Sequence, residues 1–225
     1  MTKGALPTLI FDLDGTLTDP REGITRCYIH ALEASGLPVP SMAQLEKFIG
    51  PPVHEVFSDL MRTKDTLKIQ EGVARYRARY TDIGLFENFV YEGIPEALTR
   101  LSNQGYPLMV CTSKPWTFAE RILERFGLRD FFGPVYGPEL DGTRGHKVEL
   151  LAHLLRLEGL KGDTCIMIGD RLHDANAAKA NGTLSLGVLY GFGDEAELTA
   201  AGVGALCKTP HELPAAIARL HAGDA

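Results

Sequence analysis

Seven residues whose types suit phosphate chemistry stand at the ends of apolar runs. They are Asp12 and Asp14 in "FDLDGT", Thr112 and Ser113 in "VCTSK", Lys147 in "GHKVEL", and Asp170 and Asp174 in "GDRLHD". Two carboxylates on either side of one leucine repel each other unless something shares the site with them. A hard divalent cation answers that need. Magnesium fits best, because it binds through few carboxylates and completes its shell with water and substrate phosphate. Lys147 and the two hydroxyls would then supply charge and hydrogen bonds to phosphate oxygens. A carboxylate can also act as a nucleophile and give an aspartyl-phosphate. The second aspartate would serve as general acid and base.

Each piece alone has a plainer meaning. A DxD at a strand end caps a turn or a helix, "CTSK" ahead of a helix is an N-cap, and a single lysine is a surface residue by default. The joint pattern changes the odds, provided that the elements bring these ends together.

The elements do alternate in the way that requirement demands. "TLIF" (8–11), "PLMVCTS" (107–113), a short piece near Val135, "TCIMIGD" (164–170) and "LSLGVL" (184–189) read as strands. Helical patterns separate them: "GIPEALTRLSNQG", "KPWTFAERILERFG", segments starting at Lys147 and Leu172, and a last helix in "ELPAAIARL". Strand–helix alternation with continuously apolar strands predicts a parallel sheet buried on both faces by helices. In such a sheet ligands bind at the carboxyl ends of the strands, where Asp12, Asp14, Thr112, Ser113 and Asp170 stand, with Asp174 four residues on and Lys147 opening the helix before the strand that ends in Asp170. Residues 19–88 interrupt the alternation with helices alone. In "REGITRCYIHALEASG", Ile24, Cys27, Tyr28, Ala31 and Leu32 form one apolar stripe. The chain therefore divides into a core of 1–18 and 89–225 and an inserted helical domain, 19–88.

Composition narrows the class. The chain has 225 residues and a net charge of −6, which argues mildly against a nucleic-acid backbone as partner. Cys27, Cys111, Cys165 and Cys207 are far apart, with no metal spacing, and read as reduced thiols. "MTKGALP" lacks the apolar region of a signal peptide and no run is long enough to span a membrane. The expectation is a cytoplasmic protein that engages neither membrane nor nucleic acid.

Taken together, "DLDGT", Thr112 in "VCTSK", Lys147 and "GDRLHD", in that order and with a helical insert after the first, resemble the haloacid dehalogenase-like phosphatase superfamily. The resemblance spans nearly the whole chain. It implies an α/β fold with a Rossmann-like parallel core and an all-α cap. It implies Asp12 as nucleophile and Asp14 as acid and base. Magnesium would be held by the carboxylates of Asp12 and Asp170 and the main-chain carbonyl of Asp14. Asp174 would orient Lys147 or a metal-bound water, Thr112 and the Ser113 N–H would hold phosphoryl oxygens, and Lys147 would neutralise developing charge. "FIGPP", "GLFENFVYEGIPEAL" and "ELDGTRGHK" are similar to the phosphoglycolate phosphatase and 5'-nucleotidase group. The prolines that some members carry after the lysine are absent from "HKVELL". Asp14 speaks against the dehalogenase branch, which has no leaving alkoxide to protonate.

The expected activity is magnesium-dependent hydrolysis of a small phosphorylated metabolite. The alternatives are a phosphomutase of the same superfamily and a sensor that binds a phosphorylated metabolite without turnover, although a sensor needs no Asp12–Asp14 pair. Leaving-group selection is expected in the cap, at Gly50, Pro51 and Pro52 of "FIGPPV". The basic and aromatic "RYRARY" (75–80) reads as a solvated helix over two packed tyrosines, and Trp116 as helix packing.

Overall fold

The computed structural model describes residues 6–223. Residues 1–5 and 224–225, which the sequence reading places in the core, lie outside the described residues. The strands are β1 (Thr8–Phe11), β2 (Thr18–Asp19), β3 (Phe89–Val90), β4 (Leu108–Cys111), β5 (Val135–Tyr136), β6 (Cys165–Gly169), β7 (Leu184–Val188) and β8 (Ala205–Cys207). The helices are α1 (Arg21–Ala34), α2 (Met42–Leu45), α3 (Val53–Leu60), α4 (Thr66–Arg79), α5 (Ile94–Asn103), α6 (Trp116–Arg125), α7 (Lys147–Leu157), α8 (Leu172–Asn181), α9 (Glu195–Ala201) and α10 (Leu213–Ala222). The chain falls into two compact units, Asp19–Phe89 and the segments on either side of it.

The flanking segments build a six-stranded sheet in the order β5-β4-β1-β6-β7-β8. Its pairings are parallel, with Phe11 opposite Val110 on one side and Ile168 on the other. Strands are added outward from β1 in both directions, so the carboxyl ends of β4, β1 and β6 meet at a topological switch point. β1 and β6 are buried along their whole length, which is why they read as unbroken apolar runs rather than alternating ones. Ile10 and Met167 point to one face, where they pack with Leu150, Leu151 and Leu154 of α7 and Ala177 and Ala178 of α8. Their neighbours Leu9, Phe11, Ile166 and Ile168 necessarily point to the other face, where Phe11 meets the edge of Phe132 at 5.9 Å. The Cys111 and Cys165 thiols belong to the first cluster, as small hydrophobes.

The Asp19–Phe89 unit is helical. The α1 stripe of Ile24, Cys27, Tyr28, Ala31 and Leu32 is buried, and Tyr28, Phe57, Tyr76 and Tyr80 form a run of ring contacts 5.0–5.8 Å apart. The two tyrosines of "RYRARY" thus lie inside the unit, stacked at 5.1 Å. Arg79 grips Glu87 with two hydrogen bonds of 2.7 and 2.9 Å. Helix α4 ends in one wide π-turn, Tyr80–Gly84. That turn lies backbone-to-backbone against α1, because a Cβ on Gly23 would come within 2.0 Å of the Gly84 carbonyl oxygen. The Gly23 N–H, an orphan donor of the first helical turn, is satisfied by the Glu87 carbonyl at 3.0 Å.

Four short elements go beyond the sequence reading, among them β2 and β3 of two residues each. β8 is three residues long and α9 seven, so neither offers a full hydrophobic period. Trp116 also departs from expectation. It opens α6 with 40% exposure, and its indole N–H donates to Glu139 at 3.0 Å.

Candidate active site

The register explains how distant residues meet. Asp12 follows Phe11 directly, and its N–H still donates to Ile168 of β6 at 2.9 Å. Thr112 lies just past β4, with its N–H on the Tyr136 carbonyl at 2.9 Å. Asp170 lies just past β6, and Asp174 sits in the first turn of α8. Lys147 opens α7.

Each carboxylate has a distinct set of partners. Asp12 accepts the Leu13 N–H through Oδ1 at 2.7 Å and faces the Lys147 Nζ through Oδ2 at 2.6 Å. Asp174 takes the same Nζ on Oδ1 at 2.5 Å, while its Oδ2 accepts the Arg171 N–H at 3.1 Å. Lys147 therefore bridges two carboxylates, with its side chain 3% exposed. Asp170 accepts the Phe192 N–H on Oδ2 at 2.8 Å, and its buried Oδ1 has no hydrogen-bond partner among the described residues. Gly15 makes room for that group. Its φ is +81°, and a Cβ there would fall 2.1 Å from Asp170 Oδ2, so the glycine of "DLDGT" is required by both conformation and space. The Tyr190 hydroxyl holds the same loop by donating to the Thr16 carbonyl at 3.1 Å.

Asp14 faces elsewhere. Its Oδ1 takes the Nζ of Lys114 at 2.6 Å, an ion pair whose two side chains are 5% and 12% exposed. The sequence reading counted one ammonium in this mouth, and the structure has a second. Lys114 stands two residues past Thr112, and its N–H donates to the Thr112 hydroxyl at 3.3 Å. "CTSK" displayed the lysine but not its target. The Phe192 N–H was likewise missed, although a glycine on either side marks a loop able to approach closely.

Electrostatics follow from this crowding. Ligand atoms of Asp12, Asp170 and Asp174 lie within 4.8 Å of one another. Burial drives the Asp170 carboxyl well above its usual range, and Asp174 and Asp12 add to the rise. Burial pushes Asp174 up to about 6 against the opposing pull of Lys147. Burial alone would lower the Lys147 ammonium, but Asp12 and Asp174 outweigh it and hold the group protonated above its ordinary value. Asp14 is raised by burial, partly offset by Lys114. With all three ionised, the cluster holds three carboxylates and one ammonium, which reaches Asp12 and Asp174, and the buried Asp170 Oδ1 has no partner among the described residues. That donor set is two charges short of neutrality and composed of oxygen, which fits a hard divalent cation.

Thr112 is buried and Ser113 half-buried at the same strand end. Gly50, Pro51 and Pro52 belong to the helical unit, half-buried ahead of α3, with Gly50 at a φ of 113°. A separate cleft of that unit, about 300 Å³, is lined by Asp19, Arg21, Glu22, Arg26, Met42 and Phe89 and does not include them.

Residues 9–188 match the family model for haloacid dehalogenase-like hydrolases. The 5'-nucleotidase of Pseudomonas aeruginosa is 51% identical, over 86% of this chain and 87% of its own. The tyrosine-protein kinase PtkA of Mycobacterium tuberculosis is 39% identical, over 84% of this chain and 65% of its own. A solved structure described as a predicted phosphatase from Clostridium acetobutylicum superposes with a TM-score of 0.89 and 38% identity, covering 93% of this chain and 97% of that one.

Proposed function

The chain belongs to the haloacid dehalogenase-like hydrolase family, and we propose that it is a magnesium-dependent phosphatase that works through an aspartyl-phosphate on Asp12. The observation that carries this reading is the buried cluster of Asp12, Asp170 and Asp174, with Lys147 between the first and the last and one carboxylate oxygen of Asp170 without a partner among the described residues. The Asp12 and Asp170 carboxylates and the Asp14 main-chain carbonyl would hold the ion. When bound, it supplies positive charge to the phosphoryl oxygens.

The protein's own groups divide the remaining work. Asp12 forms a bond to phosphorus as the bond from phosphorus to the leaving oxygen breaks. The Asp14 carboxyl gives its proton to that oxygen, a role that suits a carboxyl raised by burial. In the second half, water bonds to phosphorus and passes a proton back to Asp14. The bond from phosphorus to Asp12 then breaks, releasing phosphate. Lys147 faces the charge that develops on the transferring group, and Asp174 keeps it aimed. Thr112 and the Ser113 N–H receive phosphoryl oxygens.

The substrate is a small phosphomonoester. A nucleoside 5'-monophosphate is the first class to test, given the 51% identity to a 5'-nucleotidase. A phosphomutase would hand the phosphoryl group to a bound sugar rather than to water, and a kinase would hand it to a protein hydroxyl. A sensor would release nothing. Inorganic phosphate, measured with a nucleoside monophosphate, a sugar phosphate, a phosphorylated small acid and an aryl phosphate, separates these readings. Chelation is expected to abolish release and calcium to inhibit it, because calcium prefers more ligands at longer distances. Full activity in chelator would overturn the metal assignment.

Leaving-group choice falls to the helical unit, at Gly50–Pro52. Pro51→Ala, which loosens a stiff turn without forcing a side chain into the Gly50 conformation, is expected to change relative kcat/KM across that panel several-fold. Equal losses on every substrate would make the turn purely structural.

A further inference from the structure

Lys114 is a buried cation to which the scheme above gives no work. Its side chain is 5% exposed, on the short connection between β4 and α6. Its backbone is seated firmly, since a Cβ on Gly137 would fall 2.2 Å from the Lys114 carbonyl oxygen. Its ammonium lies 2.6 Å from Asp14 Oδ1. The two lysines of the site thus divide their carboxylates. Lys147 takes Asp12 and Asp174, and Lys114 takes Asp14. A lysine is seldom buried without a partner that repays its lost hydration. This one has spent its burial on the carboxyl assigned to proton transfer.

We propose that Lys114 is a positioning residue that fixes the Asp14 carboxyl by one oxygen, so that the other faces the leaving group. The proposal rests on the phosphatase reading and deepens it. While the bond from phosphorus to the leaving oxygen breaks, the Asp14 proton leaves from the oxygen that Lys114 does not hold. Oδ1 stays on the ammonium, and the carboxylate keeps its orientation until water returns a proton to it. Lys114 itself neither gains nor loses a proton. Without it the carboxyl rotates freely, and the steps that suffer are those in which proton transfer to the leaving group limits the rate.

That consequence separates orientation from simple structural support. The probes are a nitrophenyl phosphate, whose leaving anion needs no proton, and an alkyl phosphate, whose alkoxide needs one. With magnesium-loaded enzyme in excess, a single turnover reads phosphoenzyme formation alone. Lys114→Met is expected to slow the nitrophenyl ester by at most about tenfold and the alkyl ester by roughly a hundredfold or more, the scale of general acid catalysis. KM should change little. Lys114→Arg, which keeps a cation near Asp14, should recover part of the alkyl rate, and thermal melting should show both variants folded.

Equal losses on both esters, or a rise in KM confined to substrates with a second anionic group, would overturn the proposal and make Lys114 a structural or substrate-binding residue. If Lys114→Met does not fold, the comparison moves to Lys114→Arg, whose loss must again be larger on the alkyl ester. A wild-type protein that releases phosphate from neither ester would remove the phosphatase reading, and the proposal with it.

Discussion

Asp12→Asn is expected to abolish phosphate release while leaving the protein folded. The amide matches the carboxylate in size and still accepts the Leu13 N–H that now reaches Oδ1 at 2.7 Å. It has no anionic oxygen with which to bond phosphorus. The loss should be on the order of 10⁴-fold or more, the scale on which losing a covalent nucleophile registers. Folding should survive because Lys147 keeps its second carboxylate, Asp174, at 2.5 Å. Circular dichroism checks the fold and phosphate release checks the chemistry. A variant that turns over at the wild-type rate would exclude a covalent step on this residue.

Lys147→Met should be the more damaging change for the fold and the milder one for turnover. The ammonium lies between Asp12 and Asp174 with a side chain 3% exposed. Removing it leaves buried carboxylates uncompensated, at a cost of about 3–5 kcal/mol in the metal-free protein. Added magnesium should restore part of that loss, since the same carboxylates would then face another cation. Turnover should fall by roughly a hundredfold or more, because a donor aimed at the transferring group is gone. Melting curves with and without magnesium, run beside the phosphate assay, test both halves. If Lys147→Met matches the wild type in melting temperature and rate, the lysine has no part in the site.

What the sequence revealed and what it concealed divide along physical lines. β1, β4 and β6 were legible because burial on both faces leaves continuous apolar runs. The α1 stripe was legible because one face is buried at helical spacing. Given those strands, residues at their carboxyl ends had to share one mouth, and Asp12 and Asp170 do, joined there by Asp174 and Lys147 from the first turns of α8 and α7. β8 was concealed by its length, with three residues too few to show a period. Trp116 was expected to pack because tryptophan usually does, yet a hydrogen bond to Glu139 holds it at the surface. Lys114 was in plain view in "CTSK", but its partner Asp14 stands a hundred residues earlier in the chain. Local pattern carries no record of such a pairing. The same holds for the Phe192 N–H on Asp170 and for the contact of Gly23 with Gly84.

The central claim is that the phosphoryl group passes through Asp12, and trapping that intermediate tests it most directly. In Asp14→Asn the group that accepts a proton from the attacking water is missing, so an aryl phosphate, which needs no acid to leave, should phosphorylate the protein faster than water can clear it. Reduction with borohydride during turnover converts an aspartyl-phosphate to homoserine, and peptide mass spectrometry reads the position. Homoserine at position 12, with one equivalent of aryl alcohol released per protein, is the predicted result. Release of the aryl alcohol with position 12 still aspartate, or with homoserine at another position, would contradict the account.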